Sequence, residues 1–158
     1  MIAEVGFYHL KTAGLDRALP AILEKIVDRG LRAVVISASE DQRDQLDQHL
    51  WAYRADSFLP HGTARTGFAD SQAIYLSTGV ENPNQAKVLI VTDGTVPEAD
   101  APFERLLDFF DGNDDDAMAS ARQRWQAWRE RGVTLVYWQQ DEGGRWNEAR
   151  RVDPEKGA

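Results

Sequence analysis

The sequence contains no cysteine among its 158 residues. This absence excludes disulfides, zinc sites with thiolate ligands and cysteine nucleophiles. No apolar run approaches the roughly 20 residues that a membrane-spanning helix requires. The N-terminus also lacks a basic segment followed by an apolar run, which is the pattern of a secretory signal. We therefore expect a protein of the cytoplasm.

Basic residues are in deficit, with 18 Lys and Arg against 26 Asp and Glu, which gives a formal net charge of −8. Duplex DNA binding without sequence preference depends on counterion release at a cationic surface, so this balance argues against direct nucleic-acid binding. A chain of this length buries about 70% of its unfolded surface as one domain. We predict a single domain over residues 1–151 and a disordered tail over 152–158, where core residues run out.

Strand-like and helix-like segments alternate along the chain. Apolar or β-branched runs predict strands near residues 5–10, 31–37, 73–77, 88–92 and 133–138, with a hairpin and an edge strand around 143–146. Helical spacing predicts helices near 15–29, 39–53, 101–110 and 114–131. This order predicts an α/β three-layer sandwich with a mostly parallel sheet of Rossmann-like topology.

Two local signals refine the predicted helices. Ser39 followed by Gln42 is a capping-box pattern, which predicts the start of the second helix. Pro20 lies within the first helical pattern, and a proline is tolerated without cost only in the first turn of a helix. Thr12 and Asp16 are candidates for the start of that helix, and Pro20 suits the helix only if it lies within the first turn.

No pattern in the sequence predicts catalysis or a cofactor. The first strand is followed by Lys11-Thr-Ala-Gly14, which is neither a dinucleotide-binding nor a Walker phosphate loop. The three histidines, His9, His49 and His61, show no metal-ligand spacing and no catalytic partner. We predict a non-enzymatic protein without a cofactor or a metal.

The acidic run at residues 111–116 resembles the first half of a calcium loop. Asp111, Asn113 and Asp115 match the first three ligand positions of an EF-hand. The sixth position is Asp116 instead of glycine, and the twelfth is Arg122 instead of glutamate. We interpret these acids as the start of a helix, where the helix dipole favours negative charge.

The segment Ala121–Gly132 is the main anomaly of this acidic chain, because it carries four arginines and two tryptophans but only one acid, Glu130. Met118, Ala121, Trp125 and Trp128 share one helical face, and this spacing predicts that Trp128 is a core residue. The adjoining stripe contains Arg122, Gln126 and Arg129 with Trp125 at its edge, while Arg124 and Arg131 flank the other side.

The composition of that helix indicates a binding function. Arginine grips carboxylates with a planar fork and stacks on aromatic rings. Aromatic residues together with arginine are also enriched at binding hot spots. The helix therefore predicts a docking site for an acidic peptide that carries an apolar residue.

Several segments together resemble the chi subunit of bacterial DNA polymerase III, a clamp-loader accessory protein. The matching segments are residues 5–10, 24–36, 46–61, 86–90 and 121–132, of which the Leu-Trp…Ser-Phe-Leu-Pro-His segment within 46–61 is the most specific. The resemblance implies an α/β fold without nucleotide or catalysis, because polymerase activity belongs to the holoenzyme. It also implies two partners, which are the acidic C-terminal tail of single-stranded DNA-binding protein and the psi subunit that tethers chi to the clamp loader.

The resemblance also implies roles for individual residues. Arg122 and Trp125 match an arginine and an aromatic of the tail pocket, and Trp51 matches a tryptophan implicated nearby. Gln126 stands where the family has a lysine, and a further basic position falls near Met118, so Arg129 or Arg124 is expected to compensate. The expected tail-binding residues are therefore Arg122, Trp125, Gln126, Arg129 and Trp51.

A second surface is implied by two of the matching residues. Phe58 matches a phenylalanine on the surface that the family uses for psi or for a competing helicase-like partner, and Trp51 is assigned to the same surface. The alternative function is therefore an adaptor for a helicase or repair partner through Trp51 and Phe58.

Overall fold

The computed structural model describes residues 1–52 and 61–154. Its strands are β1 (Glu4–Leu10), β2 (Ala33–Ile36), β3 (His61–Gly62), β4 (Ile74–Ser77), β5 (Val88–Val91), β6 (Arg105–Asp111), β7 (Thr134–Gln140) and β8 (Trp146–Val152). Its helices are α1 (Leu15–Asp28), α2 (Glu40–Ala52) and α3 (Asp115–Glu130), with a single 3₁₀ turn at Ala69–Ser71. Within these residues, no helix combines the length and the apolar character needed to cross a membrane.

The strands form one sheet in the order β3-β4-β2-β5-β6-β1-β7-β8. All neighbouring pairs are parallel except β7 and β8, which form the antiparallel hairpin at one edge. Helices α1 and α2 contact each other, whereas α3 contacts β1, β6 and β7. The structure confirms the predicted three-layer sandwich with a mostly parallel sheet.

Two hydrophobic cores lie on the two faces of the sheet. One core contains Trp128 of α3 and inward residues such as Phe7 and Leu135. The other contains Leu19 and Leu23 of α1 together with residues from the opposite face of the strands. The sheet is therefore buried on both faces, as a parallel sheet requires.

The predicted helix over residues 101–110 is wrong, because residues from Arg105 form strand β6 in the centre of the sheet. Successive apolar residues of β6 point to opposite faces: Leu106 and Phe110 enter the α3-side core, and Leu107 and Phe109 enter the other. A short continuous apolar run does not separate a doubly buried strand from a buried helix, so the spacing misled the prediction.

Pro20 does not lie in the first turn of α1, so the condition under which a proline suits a helix without cost is not met. It is the sixth residue of α1, where the missing N–H deprives the carbonyl of Asp16 of its helical partner. His49 of α2 fills this place, because its Nε2 lies 2.5 Å from the Asp16 carbonyl oxygen. The proline is therefore accommodated by a contact between two helices.

The start of α2 follows the predicted capping pattern. The Gln42 N–H donates to Ser39 Oγ at 3.2 Å, and the Gln42 side chain accepts from the Ala38 N–H at 3.2 Å. Ser39 therefore satisfies one of the unpaired N–H groups of the first turn.

Strand β8 is an edge strand of the sheet, and it begins at Trp146, where the predicted hairpin and edge strand around 143–146 end. The strand runs to Val152, which pairs with Leu135 and packs against the α3-side core. Val152, which was predicted to start the tail, therefore belongs to the sheet, and residues 155–158 lie outside the described residues.

Candidate peptide-binding site

Helix α3 is fixed at both ends by local chemistry. The Asp114 side chain caps its N-terminus by accepting from the N–H groups of Asp116 and Ala117, at 2.9 and 3.3 Å. Gly132 has a φ of 75°, a conformation that favours glycine, and follows the last turn. The acidic run that resembles a calcium loop thus starts a helix, as we interpreted it.

Trp128 is fully buried, which confirms its predicted place in the core. Arg131 lies over its ring at 4.6 Å and donates from Nη1 to the Pro97 carbonyl at 2.9 Å. Arg131 therefore has a structural role at the end of α3.

Arg124 is also used inside the protein. It is 9% exposed and grips the buried Asp108 carboxylate with two hydrogen bonds, from Nε at 2.7 Å and from Nη2 at 3.0 Å. Its Nη1 donates to Ser120 Oγ at 2.6 Å. Burial raises the pKa of Asp108, and the bonds from Arg124 oppose this effect. Arg124 is therefore not available to compensate for the basic positions of the family at Gln126 and near Met118.

A cavity of about 300 Å³ opens between α3 and the strands β1, β6, β7 and β8. Its lining combines apolar, aromatic and cationic side chains, which are Phe7, Phe110, Met118, Ala121, Arg122, Trp125, Tyr137 and Arg150. Two of the predicted residues, Arg122 and Trp125, are therefore brought together in one cavity. We call this the α3 cavity.

Aromatic contacts hold the half-buried Trp125 in place. Its ring centroid lies 5.3 Å from that of Phe7 and 6.0 Å from that of Tyr137. The Tyr137 hydroxyl in turn lies 2.6 Å from His9 Nδ1. Burial raises the pKa of Tyr137, so its phenol stays neutral at physiological pH. The cavity thus has an ordered and largely uncharged floor.

Its positive charge comes from two elements. Arg122 stands on α3 and Arg150 on β8, and Arg150 lies 5.7 Å from the Trp125 ring centroid. Neither guanidinium forms an ion pair with any described residue. An aromatic cavity with two uncompensated arginines can bind an apolar side chain that is accompanied by carboxylates.

Sequence reasoning missed half of the cavity. The sequence patterns place Phe7 in the first strand, Phe110 in a helix and Tyr137 in the last core strand. None of these patterns indicates a shared site. Arg150 follows the predicted edge strand, and nothing in its sequence neighbourhood indicates which face of the sheet it occupies. These positions are far apart in the chain, so only the tertiary fold brings them together.

Two further predicted residues, Gln126 and Arg129, are exposed on α3 but do not line the cavity. The Gln126 Nε2 lies 3.4 Å from Glu130 Oε1 and donates to it. Both side chains can contact a ligand only where it extends beyond the cavity.

Trp51 is not part of this site. It lies near the end of α2, is 55% exposed, and packs its ring 4.6 Å from that of His61. Helix α2 covers the opposite face of the sheet from α3 and contacts β3 and β4 at the far edge. The structure therefore places Trp51 apart from the α3 cavity, and Phe58 lies outside the described residues.

In nucleotide-binding α/β sheets, the loop after the first strand binds phosphate. In this protein, the Gln140 side chain occupies that loop. The successive N–H groups of Lys11, Thr12 and Ala13 all donate to the Gln140 side-chain oxygen, at 3.0, 3.2 and 3.2 Å. Such converging N–H groups commonly bind an anion. Here a neutral amide from β7 satisfies them, so this loop differs from a phosphate loop in geometry as well as in sequence.

Comparison with known families assigns the chain. The family model described as "DNA polymerase III chi subunit, HolC" matches residues 2–136. The match covers most of the chain, including α3, β1 and β6, and it ends within β7. The chain therefore belongs to the DNA polymerase III chi subunit family, which confirms the resemblance seen in the sequence.

Individual relatives carry the same description. The chain is 27% identical over 138 residues to the DNA polymerase III subunit chi of Pseudomonas aeruginosa, covering 85% of this chain and 94% of that protein. It is 27% identical over 126 residues to that of Escherichia coli, covering 77% and 85%. A probable subunit chi of Rickettsia prowazekii is 27% identical over 92 residues, covering 58% of this chain and 56% of that protein.

Proposed function

We propose that this chain is a non-catalytic accessory subunit of DNA polymerase III that binds the acidic C-terminal tail of single-stranded DNA-binding protein. The observation that carries the proposal is the pairing of Arg122 with Trp125 in the α3 cavity of a chi-family protein. By binding this tail in the cytoplasm, the subunit would link the clamp loader to protein-coated single strands during DNA replication.

The chemistry of such a tail suits the α3 cavity. A tail that ends in several aspartates, proline and phenylalanine offers one ring, several carboxylates and a terminal carboxylate. The ring would fill the space beside Trp125, and carboxylates would meet Arg122. Charge attraction would speed the encounter, while burial of the ring would set the off-rate. Because the contact is small and ionic, we expect weak to moderate affinity that falls with salt.

The second proposed partner is the psi subunit or another clamp-loader component. A helicase or repair partner on the same surface is the alternative function. The observation that favours a second surface is Trp51, a large aromatic that is 55% exposed on the opposite face of the sheet from the α3 cavity.

A peptide titration tests the tail-binding function. A synthetic peptide that ends in several aspartates, proline and phenylalanine is titrated against the wild type and Arg122→Ala by calorimetry. We expect binding by the wild type and about fivefold or greater weakening in the variant, because a charge-assisted contact is lost.

The matched control is Arg17→Ala, which removes the same charge from an exposed position of α1 on the other face of the sheet. Its affinity should equal that of the wild type. A wild type that does not bind the peptide, or equal weakening in both variants, would contradict the assigned site.

A further inference from the structure

A β-bulge in the terminal hairpin decides which face of the sheet Arg150 occupies. Tyr137 pairs with Arg150 and Trp138 pairs with Glu148, so Ala149 is an extra residue in β8. A bulge of this kind changes the alternation of side chains along a strand. The core contacts agree with this bulge. Trp146 and Val152 are an even number of residues apart and would share a face in a regular strand. Instead, Trp146 packs on the α1 side of the sheet and Val152 packs on the α3 side.

If the pairing continued from Trp146 without the bulge, Arg150 would lie opposite Val136 and point to the same face as Trp146, away from α3. The bulge instead directs it into the α3 cavity, where it lies over the Trp125 ring. Bulges commonly re-aim a side chain beside a functional site.

The charge of Arg150 is uncompensated, in contrast to its neighbour. Arg151 forms ion pairs with Glu4, Glu148 and Asp153, at 3.5, 3.2 and 3.6 Å. Arg150 forms no ion pair within residues 1–52 and 61–154 and is exposed. Two adjacent arginines of one edge strand thus differ, and only the one in the cavity keeps an unpaired charge.

Helix α3 contributes only one cation to the cavity. Arg122 lines it, but Met118 is uncharged, and Gln126 points outside it and contacts Glu130. Arg150 lies beyond residue 136, where the match to the family model ends. A second cation therefore reaches the cavity from beyond the part of the chain that the family model matches.

We infer that Arg150 is a second ligand-binding arginine of the α3 cavity, which makes the cavity specific for a peptide end with one apolar side chain and at least two carboxylates. This inference rests on the proposed tail-binding function. The apolar side chain packs on Trp125 and Phe110, one carboxylate pairs with Arg122, and another pairs with Arg150. The cation–π contact with Trp125 holds the Arg150 guanidinium at the cavity before the peptide arrives.

The experiment compares Arg150→Gln and Arg150→Lys with the wild type in titrations with the same synthetic acidic peptide. Both substitutions keep a long side chain over Trp125, but only lysine keeps the charge. We expect about fivefold weaker binding and a smaller dependence on salt for Arg150→Gln. We expect Arg150→Lys to recover most of the affinity.

Arg145→Gln is the matched control, because it removes one charge from an exposed position of the same hairpin that does not line the cavity. Its affinity should equal that of the wild type. Thermal melts of all variants establish that β8 remains folded.

The outcomes separate this inference from the function on which it rests. A wild type that does not bind the peptide would overturn both. Weakening by Arg122→Ala together with unchanged affinity in Arg150→Gln would overturn only the role of Arg150. Equal weakening in Arg150→Gln and Arg145→Gln would show that the loss of affinity comes from the change in net charge. That result would also overturn the role of Arg150.

Discussion

At the scale of single residues, the four arginines of the basic segment 121–132 have four different environments. Arg122 lines the α3 cavity, Arg124 is buried against Asp108, Arg131 covers Trp128, and Arg129 is exposed. Their sequence context is similar, so their roles depend on what the rest of the fold places beside each one. Two of the four arginines that make this segment unusual, Arg124 and Arg131, therefore have structural roles.

The buried pair of Arg124 and Asp108 leads to a stability prediction. Arg124→Ala leaves the Asp108 carboxylate buried without its two hydrogen bonds. We expect the free energy of unfolding to fall by about 3 kcal/mol, since removal of one partner of a buried pair leaves an uncompensated charge. Urea denaturation of the variant and the wild type measures this change.

The control for that prediction is Arg129→Ala, an exposed arginine of the same helix. We expect a change within about 0.5 kcal/mol. The double variant Arg124→Met with Asp108→Leu should lose less stability than Arg124→Ala, because no buried charge remains. Equal losses in Arg124→Ala and Arg129→Ala would show that the pair does not stabilise the fold.

At the scale of elements, a hydrogen bond to the Asp16 carbonyl group joins α1 to α2. Pro20 cannot donate to the Asp16 carbonyl, and His49 donates in its place. The cost of a proline inside a helix is thus reduced by a side chain from the next helix. The sequence contains both residues, but nothing in it indicates that they meet.

This contact predicts a non-additive pair of substitutions. His49→Ala leaves the Asp16 carbonyl without its protein partner, and we expect a loss of about 0.5–1 kcal/mol in the free energy of unfolding. In a Pro20→Ala background the new N–H can make the helical bond, so His49→Ala should then cost less. Thermal denaturation of the four proteins measures the coupling. A cost of His49→Ala that is the same in both backgrounds would contradict this role.

The elements also show how far the sequence could predict the fold and the site. The long amphipathic pattern of α3 correctly predicted Trp128 as a core residue, and it also singled out Arg122 and Trp125, which the structure brings together in one cavity. Strand β6 was mistaken for a helix, because residues buried on both sides of a sheet lose their alternation. Arg150 could not be predicted, because its face depends on a bulge that one extra residue creates.

At the scale of the whole molecule, the net charge and the local charge of the α3 cavity have opposite signs. The formal net charge of −8 opposes binding to a polyanion such as duplex DNA, whereas the two arginines of the α3 cavity suit the short acidic segment that we propose as its ligand. A protein that must join a tail-bearing partner to a polymerase assembly benefits from this separation, since its affinity for the tail does not bring general affinity for DNA.

The two proposed surfaces are also separated by the sheet. Trp51 lies near the β3 edge on the face covered by α1 and α2, and the α3 cavity lies near the β8 edge on the other face. Substitutions at distant sites without shared contacts have independent effects. We therefore expect the two proposed partners to bind at the same time, as the proposed linking function requires.

This separation predicts that the two contacts can be removed independently. We expect Trp51→Ala to bind the acidic tail peptide with the wild-type affinity, because Trp51 lies on the opposite face of the sheet from the α3 cavity. We expect the same variant to lose a psi or helicase partner in pull-down assays. Arg122→Ala should show the reverse pattern, with weakened peptide binding and an intact second partner. Each variant is thus the control for the other, and thermal melts confirm that both are folded. Weaker peptide binding by Trp51→Ala would contradict the separation, and would return Trp51 to the tail-binding surface that the sequence first indicated.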